Sequence, residues 1–348
     1  INEEFGTEKD FRRLVEDIHS RGMIILMDWV ANHTAWDHEW VAQHPEFYLK
    51  DSLGQIVSPV ADWSDVAGLN YDDIALRDSM IQAMQYWVEE YEVDGYRCDV
   101  AGMVPTDFWE AARDSLDVIR PVFMLAEAEK LELHRAAFEM GYAWELHHIM
   151  NSIAKAKYTT DSIRNYFERQ EKIYPDSVIR MNFTSNHDEN TWKGNAPDRF
   201  GELYENMIVL SFTLPGMALV YGGQEAALSH ELAFFEKDTI SWRNSVYDTL
   251  FHHLIDLKKE EPCLHNGAFG GELEFIHHER NELLVYRRFH AESKSEVLVI
   301  LNMGSEKLPF DFISQNLQFE NFVSEPGGKT PVSTIFVEPW GYKLFRAI

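Results

Sequence analysis

A chain of 348 residues with 45% hydrophobic and 13% aromatic side chains has the apolar material for a large core and the length for two domains. Its 31 basic against 58 acidic side chains leave a formal net charge of −27, a surface that repels nucleic acid and anionic membranes and is indifferent to a neutral molecule. The two cysteines, Cys98 and Cys263, fall in separate segments, which excludes a cysteine-built metal site and argues against a disulfide. No run approaches the roughly 18 apolar residues of a membrane span, and no signal-peptide pattern opens the chain.

Thr7 is the expected cap of a helix that is apolar at Phe11, Leu14, Val15 and Ile18 and stops at Gly22. The continuous apolar run 23–27 then reads as a strand buried on both faces. From His33 to Tyr71 the pattern is irregular and rich in Trp, His, Asp and Pro. A stretch of that length without regular structure is usually functional, and it reads as an excursion with Trp36 and Trp40, four residues apart, in its core. A helix is expected over 79–92, a strand over 93–100, a helix over 105–116 and a strand over 122–127. A helix over 132–140, a short strand over 142–146, a helix over 162–173 and a strand over 178–183 follow. A helix over 203–214, a strand over 218–221 and a helix over 247–259 complete the alternation, which argues a parallel sheet with crossover helices. After about Pro262 the texture changes to short strands, at 274–278, 282–289, 296–302 and 335–337, with turn residues between them. The expected organisation is a (β/α) barrel over 1–262 carrying the excursion 33–71, then an antiparallel β-sandwich over 263–348.

Four of the strand-like stretches end in a charged or imidazole side chain. They are Met27-Asp28-Trp29-Val30-Ala31-Asn32-His33, Gly95-Tyr96-Arg97-Cys98-Asp99, Phe123-Met124-Leu125-Ala126-Glu127 and Asn182-Phe183-Thr184-Ser185-Asn186-His187-Asp188. A parallel barrel gathers the ends of its strands around one mouth. Retaining glycoside hydrolysis needs such a gathering, one carboxylate as nucleophile and a second as proton donor, about 5–5.5 Å apart. Asp99 is the candidate nucleophile. Arg97, two residues earlier, points to the same side of its strand and would keep Asp99 ionised. Glu127 is flanked by Leu125, Ala126 and Ala128, an apolar setting that suits an acid held protonated. Asp188 would hydrogen-bond sugar hydroxyls and stabilise positive charge on the ring, and His33 and His187 would hold the same sugar. Taken singly, each has a plainer reading. Arg-x-Asp on a strand is usually a buried ion pair, a lone His33 a satisfied core histidine, and Glu127 a helix-start residue. Asn32 serves equally as a calcium ligand or a turn former, and Trp63 and Trp192 equally as sugar platforms or loop packing.

The motifs carry a resemblance. Asp28-Trp29-Val30-Ala31-Asn32-His33-Thr34, Gly95-Tyr96-Arg97-Cys98-Asp99, Ala126-Glu127-Ala128 and Asn186-His187-Asp188 resemble, in order, the four sequence regions of glycoside hydrolase family 13, the α-amylase family. Ile1 to Thr7, Gly68-Leu69-Asn70-Tyr71 and the stretches 215–225, 234–238 and 338–342 resemble it too, so the likeness runs through the whole chain. It implies a (β/α)8 TIM barrel with a C-terminal antiparallel β domain. It also implies retaining cleavage of α-1,4-glucosidic bonds in starch-derived glucans or maltooligosaccharides, through a covalent intermediate on Asp99. The catalytic set would be Asp99, Glu127 and Asp188, with Arg97, His33 and His187 binding substrate. No cofactor is required for that chemistry, and a structural calcium would fall near Asn32. Gly102 and Met103 stand where many α-amylases carry Lys-His. This departure, with Asp99-Val100-Ala101, points to the branch acting on maltooligosaccharides, cyclodextrins or pullulan, of cyclomaltodextrinase or neopullulanase type. A 4-α-glucanotransferase would use the same residues. The family's first two barrel strands precede the segment that matches Ile1, so the chain reads as a barrel without them. The non-enzyme alternative is an inactive barrel fragment or glucan-binding subunit, against which the three intact acids stand. Cytoplasm, periplasm and secretion all remain compatible with the sequence.

Overall fold

Thr7 caps the first helix through a reciprocal capping box: its side chain accepts from Asp10 N–H while the Asp10 carboxylate accepts from Thr7 N–H. The computed structural model that shows this describes residues 1–348, apart from the side chain of Phe319, and divides into two units, Ile1–Tyr142 and Ala143–Ile348.

In the first unit helix α1 (Glu8–Ser20) leads to strand β1 (Leu26–Trp29). The strand starts later than the apolar run suggests, and Met23 and Ile24 are exposed. The parallel ladder with the neighbouring strand begins only at Leu26, and Ile25 N–H is taken instead by the Asp94 carboxylate at 2.9 Å. The excursion holds β2 (His33–Ala35), α2 (Glu39–Gln43) and β3 (Val66–Gly68), with β2 and β3 antiparallel. Trp40 packs edge-on to Phe47 at 5.4 Å. Trp36 lies before the helix, 40% exposed, donating to Ser64 O, so the two tryptophans do not share a helical face. Next come α3 (Ile74–Tyr91), β4 (Gly95–Cys98), α4 (Thr106–Asp117), β5 (Phe123–Ala126) and β6 (Met140–Tyr142). Strands β1, β4, β5 and β6 neighbour in that order, all parallel. Gly95 opens β4 at φ +151°, where a Cβ would overlap the Phe123 carbonyl, so only glycine fits. The helix expected over 132–140 is a single 3-10 turn, Leu131–His134. Met140 belongs to β6, and the Glu139 carboxylate caps the start of β5 at Met124 N–H.

In the second unit the strand expected over 142–146 is replaced by helix α5 (Trp144–Ala154). Its buried Leu146, Ile149, Met150 and Ile153 repeat at helical, not strand, spacing. Then follow α6 (Asp161–Ile173), β7 (Ile179–Phe183), α7 (His187–Lys193), α8 (Ala196–Phe200), α9 (Tyr204–Thr213), β8 (Met217–Leu219) and α10 (Val246–Glu260), with β7 and β8 parallel. The last strands are β9 (Glu272–Ile276), β10 (Leu283–His290), β11 (Ser295–Asn302), β12 (Leu308–Asp311), β13 (Phe322–Glu325), β14 (Thr334–Val337) and β15 (Tyr342–Ala347). They form a five-stranded antiparallel sheet ordered β13-β15-β11-β10-β9 and a two-stranded one, β12-β14. Val285, Leu298, Ile300, Phe310, Phe312 and Phe345 pack in the core they share. Where α9 ends, two buried cations take its spare carbonyls. Lys258 of α10 donates to Phe212 O, Gly216 O and Leu264 O. Arg288 of β10 donates to Thr213 O and Gly271 O. Burial, with Arg288 adding, pushes the Lys258 ammonium down to about 7.

Among the described residues, no helix is long and apolar enough to cross a membrane.

Candidate active site

Strand β4 is buried along its length, so any charge on it must find partners. Arg97 finds four. Its Nη1 donates to Asp28 at 2.9 and 3.1 Å and to Asp99 Oδ1 at 2.8 Å. Its Nη2 lies 2.8 Å from Glu127 Oε2, and its Nε donates to the Tyr142 hydroxyl at 3.2 Å. Burial works against the Arg97 charge, but Tyr142, Glu127 and Asp28 outweigh it and raise the guanidinium above its ordinary value. The same burial pushes the Tyr142 phenol up to about 12, with Arg97 opposing.

The backbone explains why these groups meet. Asp99 N–H donates to Trp29 O and Glu127 N–H to Cys98 O, so the sheet's ladder runs one residue past each strand and sets the two acids at adjacent strand ends. Val100 then turns the chain with φ 36° and ψ 42°. That left-handed conformation is unusual for a β-branched residue and costs about 1–3 kcal/mol. Its effect is to aim Val100 N–H at Glu127 Oε2, 2.9 Å away. The apolar setting expected for Glu127 is therefore not what its carboxyl meets: Oε2 faces a guanidinium and an amide.

His33, on β2, is half-buried, its ring edge-on to Trp63 at 5.5 Å. Burial lowers its pKa below the usual 6.5, with Asp99 and Asp65 opposing. Asn32 is buried, its Nδ2 3.4 Å from His33 Nδ1, and its carbonyl is taken by Leu69 N–H at 3.0 Å. No group of three or more His, Cys, Asp or Glu that could hold a metal occurs among the described residues.

In the second unit Asn186 caps α7, its Oδ1 accepting from Glu189 N–H at 2.7 Å. His187 and Asp188 stand in the first turn, both partly exposed, with His187 Nε2 3.4 Å from Asp188 Oδ2. Burial and the Asp188 charge raise the Tyr221 phenol. His187 lines a cavity of about 380 Å³ with Thr191, Tyr221, Phe234, Asp238 and Trp242. Trp192 is 56% exposed and packs on Phe234 at 5.1 Å. The structure thus joins Arg97, Asp99 and Glu127 in one cluster, sets His33 near it and Asn32 beside His33, and pairs His187 with Asp188. Sequence reasoning assigned no role to Asp28 or Tyr142, although each closes or nearly closes a parallel strand as Arg97 does.

The family model described as "Alpha amylase, catalytic domain" matches residues 1–63 and 60–263. Alpha-amylase MalA of Haloarcula japonica is 26% identical over 327 residues, covering 88% of this chain and 46% of the relative. The maltogenic alpha-amylase of Bacillus acidopullulyticus is 25% identical over 353 residues, covering 90% and 57%. This chain spans about half the length of the curated relatives it matches. Among solved structures, an alpha-amylase from Lactobacillus plantarum gives a TM-score of 0.86 at 26% identity, covering 100% of this chain and 84% of that one. The maltogenic alpha-amylase AmyB from Thermotoga neapolitana gives 0.82 at 28% identity, covering 98% and 79%. The fold class read from the sequence, a (β/α) TIM-type barrel with a C-terminal antiparallel β domain, is the fold of this chain.

Proposed function

This chain belongs to the α-amylase family, glycoside hydrolase family 13, and from that premise we propose that it is a glycosidase that cleaves α-1,4-glucosidic bonds with retention. The observation that carries the reading is one guanidinium, Arg97, ion-paired with both Asp99 and Glu127. It holds a nucleophile and an acid beside each other, as a double displacement requires.

In the first step an Asp99 carboxylate oxygen attacks the anomeric carbon as the glycosidic bond breaks, and Glu127 gives its proton to the departing oxygen. Glu127 Oε2 accepts from Val100 N–H and lies 2.8 Å from Arg97 Nη2, so the acid is held in place at its strand end. In the second step Glu127, now a carboxylate, takes a proton from water. The resulting hydroxide attacks the anomeric carbon and Asp99 leaves, restoring the original configuration. Asp188 is the third acid by its motif and supports positive charge on the distorted ring. His33, kept neutral by burial, and His187 donate to or accept from sugar hydroxyls. Enzymes of this family need no cofactor for catalysis, and no step here passes through calcium. Gly102 and Met103 support maltooligosaccharides or cyclodextrins as the preferred substrates.

Proton NMR of maltoheptaose and β-cyclodextrin digests, followed from the first minutes, tests the reading. Products first seen as α-anomers support it. First-formed β-anomers would overturn retention, and no turnover of either glucan by the full-length protein would overturn glycosidase function.

A further inference from the structure

The start of α7 is gripped by side chains that the reaction above does not use. His147 of α5, fully buried, has Nδ1 3.0 Å from Phe183 O and Nε2 2.8 Å from Glu189 Oε2. Its ring stacks on Phe183 at 4.5 Å and 16°. Arg199 of α8, its side chain 6% exposed, donates through Nη2 to Thr184 O at 2.7 Å and through Nε to Gly194 O at 2.9 Å. Its Nη1 donates to Glu189 Oε2 at 3.1 Å and to Asn151 Oδ1 at 2.9 Å. The last carbonyl of β7, the carbonyl after it, the third residue of α7 and the residue that ends α7 are therefore all tied to one buried network. Burial opposes the Glu189 charge, but His147 and Arg199 outweigh it, with His148 adding, and hold the carboxyl below its usual range.

A buried charged network adds little net stability, since its desolvation cost offsets its attraction. What it supplies is a fixed position for the backbone it grips. Asp188 is bonded directly to Glu189 in sequence and sits in the same helical turn, partly exposed. We propose that Glu189, His147 and Arg199 are positioning residues that aim the Asp188 carboxyl. This rests on the catalytic reading of Asp188 given above. A displacement of about 1 Å at a catalytic group lowers rate by roughly 10²-fold, which is the scale on which such a device matters.

Glu189→Gln keeps shape and removes the charge. In the full-length enzyme it is expected to lower kcat on maltoheptaose roughly 10- to 100-fold, with KM changed less than about twofold. In an Asp188→Asn background the same substitution is expected to cost nothing further, because its effect passes through Asp188. A well-folded Glu189→Gln enzyme with wild-type kcat, or a loss that multiplies undiminished onto Asp188→Asn, would overturn the proposal. Should Glu189→Gln fail to fold, Arg199→Lys keeps the charge but loses the fork to Thr184 O and Gly194 O, and the same two outcomes apply. Crystal structures of wild type and variant separate this proposal from the activity reading. An Asp188 carboxyl that stays in place in the variant refutes positioning whether or not glucan is cleaved, whereas inactive wild type with a displaced variant carboxyl refutes only the activity.

Discussion

Asp99 and Glu127 in the first unit and Asp188 in the second are carboxyls aimed in opposite ways. The first two are held by direct charge: one buried guanidinium ion-pairs with both, and strand ladders extended by one residue bring them to it. Among the described residues no arginine pairs with Asp188. It stands in the first turn of a capped helix and inherits its place from the backbone. A charge-held group is sensitive to its ion partner, and a backbone-held group to the cap and to what grips the helix. Two routes to placement in one protein mean that conservative substitutions at similar-looking acids will not behave alike.

The largest expected effect tests the charge-held side itself. Asp99→Asn should reduce turnover of maltoheptaose by on the order of 10⁴-fold or more, as loss of a covalent nucleophile does elsewhere, with circular dichroism unchanged. Retained turnover would mean that Asp99 is not the nucleophile. Next is the ion partner. Arg97→Met leaves three carboxyls around an apolar stem and should cost about 3–5 kcal/mol of unfolding free energy, read by urea denaturation. A variant as stable as wild type would show that the cluster relaxes into solvent. On the backbone-held side, Asn186→Ala removes one cap and should cost about 0.5–2 kcal/mol, while lowering kcat more than its stability loss predicts. Equal kcat would separate Asp188 from its helix start.

The smallest effect is a pH dependence. Burial keeps the folded pKa of His33 below its usual 6.5, so unfolding takes up a proton as the solution becomes acidic. The stability contributed by neutral His33 is complete above pH 6.5 and drains away as pH falls through the folded value. His33→Gln should flatten the stability curve below pH 6.5 and leave it unaltered above. An imidazole resonance that titrates above 6.5 in the folded protein would contradict this.

Much of the fold was legible because strands buried on both faces announce themselves as apolar runs, and four of the runs here end in a side chain an apolar interior would reject. That pattern alone picked out Arg97, Asp99 and Glu127, which the structure places in contact. The helix over 144–154 was missed because Tyr142, Trp144 and Leu146 alternate as a strand would, and the continuation to Ile149 and Ile153 decides otherwise. The surroundings of Glu127 were misread because its sequence neighbours are apolar while its spatial neighbours come from β4 and the turn after it. A left-handed valine at position 100 has no sequence signal, since valine is among the residues least suited to it. The grip on α7 joins residues 42 positions apart, His147 and Glu189, and only the folded chain puts them together.

The buried lysine and arginine at the end of α9 bear on how such proteins can be recombined. Arg288 lies in the antiparallel sheet, yet it satisfies Thr213 O, and Lys258 bridges Phe212 O to Leu264 O. A chimera that exchanged the C-terminal sheet for a foreign one would strand Thr213 O in a dry interior unless the new piece brought its own cation to the same spot. The sheet is therefore a sealed joint, transferable between proteins only together with its rivet.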